Sequence, residues 1–307
     1  MREVVHVSAL RSFLRCRKQY EYRYERGLVP IGPPPKSWGT GTLFHAGMKS
    51  IYRFLYREFH EEFVSPSLSA DQAWGICEKT VLEAWKKDGG DGPLAESMIR
   101  YYWDNFGRHE QIDEILQVEL PVEQPFGDNW LLRGTMDLVY RKGDRIVVRD
   151  YKTVDSVKMD PLYMRLDLQF QAYLYILYKH YKQPVELEII KVRRDVPHEL
   201  TPTGKPSKTI NNPVSDYLRV EPWFSSADVI EKFGKRVQGV LEAIDYERGQ
   251  AIKTGDAFPR TDNSPSAGIA SCTACPYFML CGKELIEGQQ EDQELSLLYS
   301  TAIKETL

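Results

Sequence analysis

Apolar positions change period along this chain, and each change marks an element. Over residues 8–27, SALRSFLRCRKQYEYRYERG, the spacing predicts a helix, with Ser8 as its N-cap and Gly27 as its stop. Residues 28–40, LVPIGPPPKSWGT, are too proline-rich for a helix or a central strand and predict a connector. A second helix runs from about Thr42 to Phe59, because Phe44, Met48, Ile51, Tyr52 and Leu55 repeat on one face. Residues 70–110 read as helical around a loop at 89–93, GGDGP. Their aromatic residues, Trp74, Trp85, Tyr101, Tyr102, Trp103 and Phe106, predict core. Cys77, among Trp74, Ile76 and Val81, predicts a buried thiol.

From Ile115 the period becomes two. ILQVELPVEQPF is an alternating segment that carries Glu119. Apolar runs at 136–140 and 146–148 flank Lys142, Gly143 and Asp144, which predicts a β-hairpin. With the turn on Gly143, Asp137 falls opposite residues 148–149, so Asp137 and Asp150 meet near the open end. Asp150 and Lys152, two apart, project from one face. A helix over 161–181 follows, and Gln169 and Tyr173, four apart, share a side of it. VELEIIKVRRD, residues 185–195, is another strand, with Lys191, Arg193 and Arg194 positioned to reach DNA. TPTGKPSKTINNP, residues 201–213, predicts a mobile loop, and 226–249 an amphipathic helix ending at Gly249. The tail, 283–307, predicts either a short packed helix or a partner-binding segment.

Composition adds exclusions. The 307 residues suffice for one large domain or two small ones, and 42% hydrophobic with 27% charged residues is ordinary for a globular protein. No apolar run is long enough to span a membrane. The opening stretch, MREVVHVSALRSFLRC, has no apolar h-region, which predicts a cytoplasmic protein with reduced thiols. A net charge of −4 excludes a globally basic nucleic-acid binder while allowing a local basic patch.

Three constellations carry chemistry. Asp137, Asp150 and Lys152 converge, and two carboxylates suit a hard cation such as Mg²⁺ or Mn²⁺. An ammonium beside it stabilises charge on a phosphate or holds the attacking water. The bland alternative is a solvated surface hairpin with an ordinary ion pair. In the first helix Arg11, Arg15 and Lys18 interleave with Tyr20 and other aromatics, the mixture a single-strand binding surface uses. A packed helix with a solvated basic face has the same pattern. CTACPYFMLC, residues 272–281, holds three thiols at clamp spacing, one short of a closed four-ligand site, and Cys16 is the natural fourth. Thiols alone do not separate zinc from an iron–sulfur cluster, and no thioredoxin-like pattern surrounds them.

Asp137 followed by DYKT, residues 150–153, resembles the PD-(D/E)XK nuclease motif in its RecB-type form. GTLFH before a helix resembles the segment whose His, here His45, is a metal ligand in that family. Gln169 and Tyr173 match its QxxxY motif, and Glu119 stands where a strand Glu recurs. The cysteine arrangement resembles the iron–sulfur nucleases, including the CRISPR-associated RecB-like exonucleases and the nuclease domain of AddB. FLRCRKQYEYRY matches their entry motif, with Arg17 where proline is common.

The resemblance implies an α/β fold, a PD-(D/E)XK restriction-endonuclease-like core with a central mixed sheet flanked by helices. It implies metal ligation by His45, Asp137, Asp150 and the Tyr151 carbonyl, with Lys152 catalytic and Gln169 and Tyr173 supporting it. It implies a [4Fe–4S] cluster on Cys16, Cys272, Cys275 and Cys281 that joins the termini, zinc being the lesser alternative. The whole chain is then one domain, with cluster-binding segments at 1–27 and 258–282, a helical insertion at 42–110 and a nuclease core at 115–250. The activity implied is a metal-dependent DNA exonuclease preferring single-stranded DNA, in recombination, repair or CRISPR adaptation, with a protein partner in such an assembly. The alternatives are a non-catalytic iron–sulfur DNA-binding subunit, which would usually have lost an acid or the lysine, and an electron carrier, which would not need them.

Overall fold

Elements fall where the periodicities put them, and local chemistry moves several boundaries. The computed structural model describes residues 2–31, 36–60, 70–158, 162, 165–196, 211–254, 258–259, 272, 275–287 and 299–301. Strand β1 (Glu3–His6) leads into helix α1 (Val7–Arg15). The single helix expected over 8–27 breaks at Cys16, whose backbone is extended at φ −162° and ψ 114°. A short helix α2 (Arg17–Tyr20) and a π-helical turn (Glu21–Glu25) follow, and Gly27, at φ 67°, ends the run. Part of the expected connector is a short strand, β2 (Leu28–Pro30). Helix α3 (Lys36–His60) begins well before Thr42, because no residue after Pro35 denies it a donor. Helices α4 (Ala70–Asp88) and α5 (Gly92–Asn105) are separated by Gly89 and Gly90 at positive φ, and Asp91 caps α5 by accepting from the Leu94 N–H at 3.0 Å.

The alternating segment from Ile115 is not one strand. It divides into β3 (Glu114–Val118) and β4 (Pro121–Phe126) at Glu119, a non-glycine residue held at φ 48°. Strands β5 (Trp130–Thr135), β6 (Leu138–Lys142) and β7 (Arg145–Val154) follow. The β6–β7 hairpin turns on two residues, Gly143 and Asp144, since Lys142 pairs with Arg145 and Leu138 with Arg149. That register sets Asp137 level with Asp150, a residue further along than a turn centred on Gly143 alone gives. Helix α6 (Leu168–Tyr181) is capped by Asp167. The start of the helix expected at Pro161 lies largely outside the described residues. Strands β8 (Val185–Arg193) and β9 (Leu218–Phe224), helices α7 (Ala227–Thr254) and α8 (Phe278–Glu287), and strand β10 (Tyr299–Thr301) complete the order. Residues 201–210 of the expected loop, and 288–298 and 302–307 of the tail, also lie outside the described residues. None of the described helices is long and apolar enough to cross a membrane.

Packing divides the chain into two units. One comprises Pro33–Val122 and Gly134–Glu231. Its five-stranded sheet runs β3-β6-β7-β8-β9, with β7 and β8 parallel and the other pairs antiparallel. A parallel pair needs a crossover, which α6 supplies. The unit thus has the expected α/β class and central mixed sheet. Alternation along β7 sorts its side chains. Val147 and Tyr151 enter a core with Phe44, Met48 and Tyr52 of α3, Ile99 and Tyr102 of α5, and Ile190 and Val192 of β8. Helix α3 lies close to its neighbours because Gly47 has no side chain: a Cβ there would stand 2.4 Å from Ile99 Cδ1.

Arg149 shares this face and is 1% exposed. Its guanidinium donates to Glu188 at 2.6 Å, to the hydroxyls of Tyr52, Tyr102 and Tyr140 at 3.0–3.1 Å, and to both oxygens of Glu110. A buried cation is tolerated when all its donors are used, and here they join α3, α5, β6, β7 and β8.

The other unit comprises Met1–Gly32, Glu123–Arg133 and Lys232–Leu307. It holds the sheet β1-β5-β4, in which β1 runs parallel to β5, and the antiparallel pair β2-β10. Tyr22, Leu28, Tyr277, Leu280 and Tyr299 form a small core. Arg248 pairs with Glu3 and Glu25, and Glu284 accepts from Tyr22 and pairs with Lys18. The first and last parts of the chain therefore fold together.

Candidate active site

The site lies in the unit built on the five-stranded sheet and draws on α3, β7 and α6 and on the connections after β3 and before β6. The opposite alternation on β7 from that of Arg149 and Tyr151 brings Asp150 and Lys152 to one face. Asp150 is 2% exposed. Its Oδ1 accepts from Gln169 Nε2 at 3.2 Å, and its Oδ2 lies 2.6 Å from Lys152 Nζ. The second contact is a charge-assisted hydrogen bond in which the Lys152 ammonium donates to the buried Oδ2. Gln169 also donates to the Tyr173 hydroxyl at 2.9 Å, and Tyr173 donates to the Thr135 carbonyl at 2.7 Å. A chain of hydrogen bonds from α6 thus fixes the orientation of Asp150. Lys152 Nζ lies 5.4 Å from the centre of the Phe170 ring.

Asp137, just before β6, faces a different set. Its Oδ2 accepts from the Tyr151 N–H at 2.8 Å and lies 3.2 Å from His45 Nδ1. Glu119 joins them: ligand atoms of His45, Glu119 and Asp137 all lie within 4.8 Å of one another. The backbone N–H of Glu119 donates to the Asp137 carbonyl at 3.1 Å, which fastens the kink after β3 to the residue that carries the acid. Lys49, one turn after His45 on α3, pairs with Glu119 at 3.3 Å.

Charge follows burial and proximity. Burial pushes the Asp150 carboxyl up to about 6, against the pull of Lys152, and Asp137 adds to the rise. Burial also opposes ionisation of Asp137, but His45, Lys152 and the Tyr151 N–H together outweigh it and hold that carboxyl below its usual range. For His45 burial works against protonation, and the Asp137 carboxylate more than compensates, so its pKa is raised.

These residues fit a divalent cation. Neighbouring ligands of a six-coordinate ion at about 2.1 Å stand about 3 Å apart. His45 Nδ1 and Asp137 Oδ2 have that separation. Carboxylates with one imidazole suit Mn²⁺ and Mg²⁺. An arriving ion would also meet the buried Asp150 Oδ2, although Asp150 is not within the His45–Glu119–Asp137 group itself.

Of the residues singled out in the sequence, the structure brings together His45, Asp137, Asp150, Lys152, Gln169 and Tyr173. Tyr151 contributes its N–H, and its ring is buried against Tyr52 and Tyr102. Glu119, which the resemblance matches to a strand Glu without assigning it a role, joins His45 and Asp137 from the kink after β3. Lys49, a lysine four residues after the histidine, went unremarked.

The other predicted groups are placed as follows. Arg11 and Arg15 lie on α1 and are exposed. Lys18 is buried and paired with Glu21 and Glu284, and Tyr20 is buried and donates to Glu25. Arg193 pairs with Asp195 and lies over the Tyr217 ring, and Arg194 pairs with Asp155. None of the five cysteines is in a disulfide, and Cys77 is fully buried as expected. Cys275 and Cys281 pack on the Tyr22–Tyr277–Tyr299 core, while Cys272 is exposed. Burial first, and then Cys16 and Cys281 nearby, raise the Cys275 thiol, with the Tyr277 N–H and Arg15 opposing. Among the described residues no thiols form a group of three ligand atoms within 4.8 Å.

Comparison with known proteins gives one family. The family model for the PD-(D/E)XK nuclease superfamily matches residues 5–282. No curated protein matches the sequence significantly. Among solved structures, a protein from Eubacterium rectale described as an exonuclease is 11% identical with a TM-score of 0.45, over 88% of this chain and 90% of that one. A phage-related exonuclease from Haemophilus somnus 129PT is 13% identical with a TM-score of 0.34, over 67% of this chain and 94% of that one. The alkaline exonuclease of Laribacter hongkongensis is 8% identical with a TM-score of 0.27, over 71% and 99%. None of these structural likenesses reaches a TM-score of 0.5, and activity is not read from them.

Proposed function

The chain belongs to the PD-(D/E)XK nuclease superfamily, and from that premise we propose that it is a divalent-metal-dependent DNA nuclease whose active site is the His45–Glu119–Asp137–Asp150–Lys152 cluster. The observation that carries the reading is the convergence of these side chains on one end of the β6–β7 hairpin, with the acids fixed by Gln169 and by the Tyr151 N–H. His45, Glu119, Asp137 and Asp150, with the Tyr151 carbonyl, would hold the ion. When bound, such an ion supplies Lewis acidity to a phosphodiester and its attacking water. Lys152 holds that water or stabilises charge on the phosphoryl oxygens. Gln169 and Tyr173 keep Asp150 in place, and burial keeps bulk water from that one carboxylate.

The finer reading is an exonuclease of the RecB-type iron–sulfur group, acting on DNA ends with single-stranded DNA preferred. Its supports are the DYKT and QxxxY motifs, and four cysteines in the unit where the chain's ends fold together. Cys16, Cys272, Cys275 and Cys281 would bind a [4Fe–4S] cluster, zinc being the alternative occupant. Arg11 and Arg15, exposed on α1, and Arg193 and Arg194 at the end of β8 would contact DNA. The setting would be cytoplasmic, in recombination, repair or CRISPR adaptation with a protein partner. One nuclease domain accounts for both units, since the family match runs through both.

Purified protein with end-labelled single- and double-stranded DNA, with Mn²⁺ or with EDTA, tests this. Metal-dependent shortening from an end is expected, lost in Lys152→Ala. Wild type that binds DNA but leaves it intact in Mn²⁺ and in Mg²⁺ removes the nuclease reading.

A further inference from the structure

We propose that Lys49 is a second cation of the active site, contacting the phosphate backbone of the bound strand opposite Lys152 and setting the charge that lets the loaded site accept it. The inference rests on the nuclease reading of the same site and goes beyond it in assigning a residue that no motif marks.

Geometry comes first. Helix α3 presents His45 and Lys49 one turn apart on the same side. His45 reaches Asp137, and Lys49 reaches Glu119 at 3.3 Å. The Lys49 ammonium is thus tied to one of the three residues whose ligand atoms lie within 4.8 Å of each other. It is also open to solvent: its side chain is 34% exposed, much as Lys152's is at 31%. Each lysine has one acidic partner and one free side, and each acid belongs to the proposed ion site. The Glu119 backbone sits at φ 48° and is bonded to the Asp137 carbonyl, so the root of the side chain that meets Lys49 is fixed beside the acid. The helix that carries Lys49 is fixed by Tyr52 on the Arg149 cluster and by Gly47 against α5. A cation on so rigid a mount can be aimed.

Charge comes second. With His45 neutral, the site has three carboxylates, Glu119, Asp137 and Asp150, against two ammonium groups, Lys49 and Lys152. One negative charge is left over. A single divalent ion turns that into one positive charge, the complement of one phosphodiester. Without Lys49 the loaded site would be neutral and would have no net attraction for the strand. Without the ion, Lys49 neutralises Glu119 and the site repels DNA only weakly. Lys49 therefore has two opposed effects: it competes with the ion for Glu119, and it draws the phosphate once the ion has taken Glu119 over.

That opposition supplies the test. Lys49→Met keeps length and removes charge, and Lys49→Arg keeps charge. Two equilibria are measured on the full chain. One is Mn²⁺ binding without DNA, by calorimetry. The other is binding of a short single-stranded oligonucleotide across a salt series, with Ca²⁺ replacing Mn²⁺ so that binding is read without turnover. Lys49→Met should bind Mn²⁺ about threefold to tenfold tighter, because a cation beside Glu119 is gone. It should bind DNA about threefold to tenfold more weakly, with the slope of log K against log salt reduced by about 0.7, the value of one phosphate contact on a single strand. Lys49→Arg should restore DNA binding and its slope.

A purely structural Lys49 would weaken both equilibria together, and that result overturns the proposal, as does wild-type DNA affinity and slope in Lys49→Met. If Lys49→Met does not fold, Lys49→Gln replaces it with the same two measurements. Failure of the nuclease reading is separate: it shows as intact DNA with wild-type protein in Mn²⁺, whatever the Lys49 variants bind.

Discussion

Asp150→Asn should stabilise the metal-free protein while abolishing cleavage. Asp150 is fully enclosed, and burial lifts its carboxyl from 3.8 to about 6. At about 1.4 kcal/mol per pH unit, ionising it inside the fold costs up to about 3 kcal/mol. The sign follows from linkage. A carboxyl with a raised folded pKa favours the folded state below about 3.8, and that advantage is lost as pH rises through about 6. Wild-type protein in EDTA therefore carries the full penalty at pH 8 and little of it at pH 4. Asparagine has no such charge, and its Oδ1 can still accept from Gln169, which sits 3.2 Å from Asp150 Oδ1. Lys152 loses its partner but is part-exposed and can turn to water.

Urea denaturation in EDTA, followed by circular dichroism from pH 4 to pH 8, should show the variant about 1–3 kcal/mol more stable at pH 8, with the difference vanishing toward pH 4. Saturating Mn²⁺ should invert the order at pH 8, because wild type, with Asp150 added to the other ligands, gains more stability by binding it. A variant less stable than wild type in EDTA at pH 8, or a difference that ignores pH, would falsify the account of Asp150 as a site strained by its own charge.

Four further outcomes follow from the same geometry. Lys152→Ala should reduce cleavage by at least a hundredfold while leaving Mn²⁺ binding measurable by calorimetry; loss of both would make the lysine structural. His45→Ala should raise the Mn²⁺ concentration for half-maximal activity about tenfold, with partial recovery at high Mn²⁺; a loss indifferent to metal would remove His45 from the ligand set. At subsaturating Mn²⁺ activity should fall as pH drops below about 6, where Asp150 protonates, and His45, whose pKa is raised, should already be protonating above that; a flat profile between pH 5 and 8 would contradict this. Protein purified without oxygen should carry iron and sulfide, and Cys16→Ala should lose both together with solubility; one zinc per chain would replace the cluster and leave the nuclease intact.

How far the sequence revealed the site depended on the kind of geometry involved. The pairing of Asp137 with Asp150 was readable because a glycine turn fixes a hairpin's register, and only the two-residue length of the turn shifted it. Gln169 and Tyr173 were readable because helical spacing puts them on one side. Glu119 was seen but its place was not, because its left-handed backbone takes it off the alternating pattern on which it was read. Lys49 needed the packing of α3 to show which turn of the helix faces the acids. Lys18 and Tyr20 belong to a stretch whose pattern suits a surface as well as an interior, and their partners, Glu284 and Glu25, fold onto them through contacts that periodicity does not contain. The break at Cys16 has no signature in local composition.

The alternation on β7 has a consequence for which changes this strand can survive. The proposed chemistry occupies its even positions, Asp150 and Lys152, while Arg149 and Tyr151 face the interior under α3 and α5. Arg149 has two buried carboxylate partners, so Arg149→Met should cost about 3–5 kcal/mol by stranding them, although the residue touches no ligand. Point substitutions can thus spoil either catalysis or folding. Deletion or insertion of one residue between Arg145 and Asp150 would do both, because a strand out of step by one presents its guanidinium to the ion and drives a carboxylate into the tyrosine cluster. In a library of single-codon deletions β7 should therefore be a blank stretch, whereas a matched pair, one residue removed before Asp150 and one restored after it, would leave the ends in register and fail at the centre alone.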